Sequence, residues 1–168
     1  MPDNYHEFEE TKTLNQVAEF QRNFFAPVEP SPTLPAKDRQ DLRVTLIKEE
    51  LKELEDCVAN GDLVGILDAL ADIQYVLSGA VLEFGFGKVF AAANSEVHSS
   101  NMSKLCSLEE AKATKGKYDS EHGLDKCYII QAHSGKYVVL RGSDNKVIKN
   151  INYKPANFSQ FVCTPSTH

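Results

Sequence analysis

The chain has 168 residues, with 18 Lys and Arg against 24 Asp and Glu, and a formal net charge of −6. Hydrophobic residues make up 42% and charged residues 25%, values typical of a globular protein, so the composition excludes a globally disordered chain. The acidic excess argues against a protein that grips a nucleic-acid polymer over a broad surface, because that binding requires a basic field. Any phosphate that the protein handles must therefore be met locally.

The sequence predicts a cytoplasmic protein without a membrane anchor. Its first residues, MPDNYHEFEETK, are acidic, whereas a secretory signal is basic and then apolar. We expect no segment with the roughly 20 apolar residues that span a bilayer. The cysteines lack the CxxC or CxxH spacing of a zinc site, so we expect reduced thiols at Cys57, Cys106, Cys127 and Cys163.

Apolar spacing predicts helices along the first two thirds of the chain. The expected helices are residues 13–25, 38–60, 62–83, 88–105 and 107–118. The prolines between positions 27 and 35 exclude helix from the first connector. Gly61 is expected to stop the second helix and Asp62 to cap the third, while Ser107 and Glu110 have the spacing of a capping box.

After Gly123 the helical period gives way to short β-rich runs. CYIIQA, KYVVLRG and KVIKNI, separated by the turns HSG and SDN, predict a meander of two or three strands. We therefore expect a mainly α protein. An antiparallel helical bundle over residues 1–118 would carry a β-rich C-terminal appendage over residues 119–168, which is too small for an independent domain.

The second helix carries a stripe of carboxylates in KEELKELED. Glu49, Glu53 and Asp56 share one face with Glu50 on its flank, and apolar residues occupy the opposite face. A charged stripe on an amphipathic helix is usually a solvated face, so this pattern alone does not define a site.

The third helix is apolar nearly all round, which predicts a buried helix. Asp68 and Asp72 nevertheless lie in its middle, one turn apart, and a buried carboxylate requires a cation. They could pair with Lys or Arg or face water. Alternatively, they could lie opposite Glu49, Glu50 and Glu53 across the helical hairpin. Such an all-oxygen set suits Mg²⁺ or Mn²⁺, whereas a di-iron site would require Glu-x-x-His pairs that the chain lacks.

Two further helices offer polar groups to a nucleotide. On the fourth helix, Asn101 and Lys104 are suited to orienting phosphate oxygens, although they are equally typical of an exposed polar face. On the first helix, Phe20, Gln21 and Phe24 could form an aromatic wall and an amide contact for a nucleobase, or be ordinary core residues.

The E-E-x-x-E segment of Glu49, Glu50 and Glu53, followed by Asp72 in ADIQYV, resembles a known family. It is similar to the all-α nucleoside triphosphate pyrophosphohydrolases of the MazG and phosphoribosyl-ATP pyrophosphohydrolase type. EVHSSNMSKL and RGSDNKVIKNINYKPA resemble one branch of that family, so the similarity runs from about Val17 to Pro155. The resemblance implies Mg²⁺-dependent cleavage of a nucleotide between its α and β phosphates, releasing a monophosphate and pyrophosphate, in deoxynucleotide pool cleansing.

Position by position, the resemblance implies that Glu50, Glu53 and Asp72 bind metal. It implies that Glu49 orients the attacking water or binds a further metal, and that Asn101 and Lys104 contact phosphate. The family usually has Glu three residues before its aspartate, where this chain has Ala69, and Asp68 could substitute.

That departure keeps open a second function, a non-catalytic helical protein that senses nucleotides or binds a partner. We also expect a homodimer or homotetramer, because the apolar third helix needs more cover than one chain supplies.

Overall fold

The computed structural model describes residues 8–123 and 126–162, so Cys163 lies outside the described residues. It confirms a mainly helical protein with a small antiparallel sheet near the C-terminus. The elements in chain order are α1 (Thr13–Asn23), α2 (Lys37–Asn60), α3 (Leu63–Glu83), α4 (Phe90–Met102), α5 (Leu108–Glu121), β1 (Cys127–Gln131), β2 (Tyr137–Arg141) and α6 (Ser159–Val162).

The helix ends follow the predicted capping residues. Gly61 adopts the left-handed conformation at φ 66° and ends α2, and the Asp62 carboxylate accepts the backbone N–H groups that open α3 at 3.1 Å. Ser107 and Glu110 form the predicted capping box at the start of α5, with bonds of 3.2 and 2.7 Å. The helix α5 extends three residues beyond Tyr118, to Glu121.

The chain divides into two compact units, one ending at Phe90 and the other beginning at Ala91. In the first unit, α3 packs against both α1 and α2. Its core is small and is centred on Val17, Ala18 and Leu82.

The proline-rich connector between α1 and α2 is tied to the end of α3. The N–H of Glu29 donates to the Leu82 carbonyl at 3.0 Å, and the N–H of Thr33 donates to the Phe84 carbonyl at 3.1 Å. Gly85 has φ 73°, and a Cβ there would lie 1.8 Å from the Ser31 carbonyl oxygen. Only glycine permits this approach of the two backbones.

In the second unit, α5 packs on the two-stranded sheet. Ile129 faces Val139 across the antiparallel ladder, and Leu140 makes a single bridge to Val147 where a third strand was possible. Ala111 on α5 shares a core with Val139, Cys106 and Cys127. Cys57, Cys106 and Cys127 form no disulfide with one another.

The expectation that α3 is buried is wrong for the single chain. Leu63 and Val64 are each 80% exposed and Leu67 is 71% exposed, because α1 and α2 cover only part of the helix surface. The expectation that no segment could span a membrane is also wrong by length and composition, since α3 has 21 residues and a mean hydropathy of 1.4. Core helices of soluble proteins meet the same criterion.

Candidate active site

The predicted carboxylates occupy the middle of the α2–α3 hairpin. Glu50 is half-buried, while Glu49, Glu53, Asp68 and Asp72 are exposed, so the prediction of a buried aspartate pair is wrong. In the part of the chain that the structure describes, none of the five forms an ion pair with Lys, Arg or His. None of the five is therefore neutralised by an ion pair within the described residues.

The other four carboxylates all act electrostatically on Glu50. Burial raises the pKa of Glu50, and the negative charges of Asp72, Glu53, Glu49 and Asp68 raise it further, in that order. The hairpin therefore gathers like charges from two helices around one side chain. This arrangement favours the binding of a cation.

A shallow, open groove of about 470 Å³ lies along one face of α2, and two of these carboxylates, Glu49 and Glu53, line it. Lys48 and Lys52 also line it, and sequence reasoning missed both. The spacing of four residues between Lys48 and Lys52 in KEELK places both on one face of the helix and was the pattern that indicated them. Lys52 Nζ is bound to Asp56 at 2.6 Å, whereas Lys48 has no acidic partner among residues 8–123 and 126–162.

The donor chemistry of this site fits a hard divalent cation. All five donors are carboxylate oxygens, which Mg²⁺ prefers, and no histidine lines the groove. Within the described ranges, no three Asp, Glu, His or Cys side chains are gathered closely enough to hold an ion as they stand. No ion pair among the described residues has to break for the four exposed side chains to turn toward a metal.

Position 69, where the chain has Ala in place of the expected Glu, lies in a different environment from position 68. Ala69 is only 1% exposed and lies on the packed side of α3, whereas Asp68 and Asp72 lie on its accessible side. A carboxylate at position 69 would enter the packed side of the helix. Asp68 is the residue that presents a second carboxylate beside Asp72.

The predicted nucleobase residues on α1 divide into two environments. Phe20 and Phe24 are stacked with ring centroids 4.4 Å apart, and they are 44% and 67% exposed, so they are not core aromatics. Gln21 is 1% exposed, and its Nε2 donates to the Pro27 carbonyl at 2.6 Å. Its Oε1 is buried without a hydrogen-bond partner among the residues described.

The open end of the hairpin holds a buried ion triad that the sequence did not predict. Glu83 is fully buried, and its carboxylate accepts two bonds from Arg39, at 2.5 and 3.0 Å, and one from Arg43. Burial raises the pKa of Glu83, but the two guanidinium groups outweigh this effect and leave its pKa below the ordinary value. No local pattern signals pairs that lie 40 and 44 residues apart in sequence.

The predicted phosphate contacts Asn101 and Lys104 lie in the second unit, at and just beyond the end of α4. They contact each other, since Lys104 Nζ donates to Asn101 Oδ1 at 2.7 Å. Their contribution to a site with the carboxylates stays a prediction.

Comparison with known proteins places this hairpin in a family. The profile of the phosphoribosyl-ATP pyrophosphohydrolase family matches residues 17–101, half of the chain, and this match includes α2 and α3 in full. No curated protein matches the chain. The family implies pyrophosphohydrolase activity of a kind that is typically metal-dependent. The chain belongs to the phosphoribosyl-ATP pyrophosphohydrolase family, within the MazG-like nucleoside triphosphate pyrophosphohydrolase superfamily.

Proposed function

We propose that this protein is a Mg²⁺-dependent pyrophosphohydrolase that cleaves nucleoside triphosphates between the α and β phosphates. Its products would be a nucleoside monophosphate and pyrophosphate, and its role the cleansing of the deoxynucleotide pool. The observation that carries the proposal is the cluster of Glu50 and its four neighbouring carboxylates, none of which forms an ion pair within the described residues, in a chain of this family.

Glu50, Glu53, Asp68 and Asp72 would hold Mg²⁺, for which Mn²⁺ is a possible substitute. When bound, the metal neutralises phosphate charge and makes a coordinated water more acidic. Glu49 lies in the groove beside Glu53, and its exposed carboxylate is available to accept a hydrogen bond from the attacking water and align it.

The nucleoside and the phosphate chain require further contacts. We assign the base to α1, where the exposed rings of Phe20 and Phe24 offer a stacking surface. Gln21 is also proposed to contact the base, but its Oε1 is buried and without a hydrogen-bond partner among the described residues, so a base amino group would reach it only after local opening of α1. Asn101 and Lys104 would contact phosphate oxygens.

The exposed apolar surface of α3 supports a homodimer or homotetramer. Leu63, Val64 and Leu67 leave more apolar surface in water than a stable single chain normally does. The exposed charges of Asp68 and Asp72 in the same helix disfavour lipid as the cover. Sedimentation should give a dimer or tetramer that Leu67→Glu dissociates, and a monomeric wild-type chain would contradict this part of the proposal.

Activity is tested by incubating the protein with each nucleoside triphosphate and Mg²⁺ and measuring pyrophosphate. We expect turnover of at least one nucleotide, with Glu53→Gln reducing kcat by about 100-fold or more because a ligand is lost. Glu55→Gln is the matched control, since Glu55 is exposed on the same helix and lies outside the cluster. Equal activity in the two variants, or no turnover, would overturn the proposal.

A non-catalytic nucleotide sensor or partner-binding protein is the second candidate. The buried Ala69 at the position of the family's usual glutamate favours it. Its signature would be tight Mg²⁺-dependent binding of a triphosphate that is recovered intact.

A further inference from the structure

The second unit contains a cavity that the proposed reaction does not use. It has a volume of about 300 Å³ and lies between α5 and the segment that follows β2. Residues of α5 and of positions 148–153 form its walls, and every one of them belongs to the second unit. The volume is at the small end of the range for ligand pockets, so the cavity suits one small molecule.

The back of the cavity is held in place by hydrogen bonds. Thr114 is buried, and its Oγ1 accepts the N–H of Ile151 at 3.1 Å. Asn150 is also buried, and its amide donates to the Ser103 carbonyl at 2.6 Å. A ligand would therefore meet a preformed surface rather than one that must first be ordered.

Two tyrosines in the lining are also fixed. Tyr118 stacks on His122 with ring centroids 3.8 Å apart, and the Tyr153 hydroxyl is bound to Ser100 Oγ at 2.8 Å. Rigid phenol rings in a cavity wall are suited to contacting a planar ligand, because little entropy is lost on binding.

The cavity also carries two lysines without acidic partners. Lys117 and Lys149 line it, and neither forms an ion pair among the residues that the structure describes, although Lys149 Nζ lies 4.7 Å from the centroid of the Tyr153 ring. Glu121 is the one carboxylate in the lining. Within a chain of net charge −6, this is a locally basic concavity that can accept a small anion.

We propose that this cavity binds one nucleotide, independently of the carboxylate cluster on α2 and α3. The lysine ammonium groups would meet the phosphate, a tyrosine ring would contact the base, and Glu121 would accept hydrogen bonds from sugar hydroxyls or a base amino group. The ligand class follows from this combination, since a simple anion would use the lysines but not the rings.

Calorimetric titration of the full chain in EDTA tests the proposal, because the carboxylate cluster without metal repels phosphate. Deoxyadenosine monophosphate is the probe, and deoxyadenosine and inorganic phosphate are titrated separately. We expect the monophosphate to bind. Deoxyadenosine and inorganic phosphate should each bind at least about tenfold more weakly, since each lacks half of the contacts. The Lys117→Ala/Lys149→Ala variant should weaken monophosphate binding by about tenfold or more.

Two controls separate this site from the carboxylate cluster. Lys112→Ala removes an exposed lysine of α5 that does not line the cavity, and should leave binding unchanged. Glu50→Gln/Glu53→Gln should also leave binding in EDTA unchanged, so failure of the proposed reaction and failure of this site are distinguishable. Absence of monophosphate binding, equal binding of inorganic phosphate, or full binding by the double lysine variant at an unchanged melting temperature would overturn the proposal.

Discussion

Carboxylates in the middle of the α2–α3 hairpin and at its open end lie in opposite electrostatic environments. At the open end, Glu83 is fully buried and saturated by Arg39 and Arg43. In the middle, Glu50 is surrounded by like charges from both helices and has no ion-pair partner in the described chain. Glu83 therefore stabilises the hairpin, whereas the carboxylates clustered with Glu50 destabilise it unless a cation is bound.

Removal of the paired carboxylate should have the largest effect on stability. Glu83→Ala leaves the two guanidinium groups of Arg39 and Arg43 without their partner, and Arg43 is buried. We expect a loss of about 3 kcal/mol in the free energy of unfolding, which lowers Tm by about 10 °C. Urea unfolding and thermal melting measure both quantities.

The matched control is Asp41→Ala, which removes the exposed pair of Lys37 and Asp41 from the same helix. Exposed pairs contribute less than about 0.5 kcal/mol, so this variant should melt like the wild type. Equal losses in the two variants would contradict the assigned role of Glu83.

Crowding the triad should have an intermediate effect. A Cβ at Gly79 would lie 2.8 Å from Arg43 Nη1, and the bond to Glu83 prevents that side chain from moving away freely. We expect Gly79→Ala to lower the free energy of unfolding by about 1–2 kcal/mol, despite the helix propensity of alanine.

Gly116→Ala in α5 is the control with the opposite sign. Nothing lies within 4 Å of its Cβ position, so the substitution should stabilise the protein by about 0.5–1 kcal/mol. A stabilising Gly79→Ala would show that the Arg43 side chain is not held by Glu83.

Neutralising the unpaired cluster should have a smaller effect of the opposite sign. Glu50→Gln removes one of the mutually repelling charges, so without metal we expect Tm to rise by about 1 °C. Mg²⁺ should raise the Tm of the wild type by mass action and raise that of the variant less. Differential scanning calorimetry with EDTA and with Mg²⁺ measures this crossover, and a variant that Mg²⁺ stabilises as strongly as the wild type would contradict the proposed ligand role of Glu50.

The smallest expected difference is in the pH dependence of stability. The lowered pKa of Glu83 makes its contribution fully present above its unfolded-state pKa of about 4.3, and the contribution is lost as pH falls through the folded-state value. The raised pKa of Glu50 has the reverse sign, so without metal its ionisation reduces stability as pH rises above about 4.3. Urea titrations in EDTA between about pH 3 and 7 measure the free energy of unfolding as a function of pH. Relative to the wild type, this free energy should fall less steeply below about pH 4.3 in Glu83→Gln, and less steeply above about pH 4.3 in Glu50→Gln.

Local signals predicted much of this hairpin. Gly61 and Asp62 predicted its turn, because a left-handed helix end and an N-cap each depend on a single residue type. The spacing of Asp68 and Asp72 placed them on one face, and the structure agrees. These features depend on neighbours a few positions away, which is the range in which sequence patterns are informative.

Features that depend on distant partners were not predictable. The sequence predicts only that Glu83 ends a helix, because no residue near it in sequence indicates its ion pairs with Arg39 and Arg43. The exposure of Leu67 was missed for a related reason, since hydropathy shows that a residue favours burial but not what covers it. Lys48 was present in the motif itself but was overlooked beside the glutamates.

The backbone bonds between the connector and α3 have a consequence for local unfolding. The N–H groups of Glu29 and Thr33 donate to carbonyls at the end of α3, so these two amides are protected from exchange with solvent while the bonds are closed. Although its prolines exclude helix, we therefore expect the connector to contain two amides that exchange more slowly than those of an ordinary loop. Loss of their protection would report detachment of the connector from the end of α3.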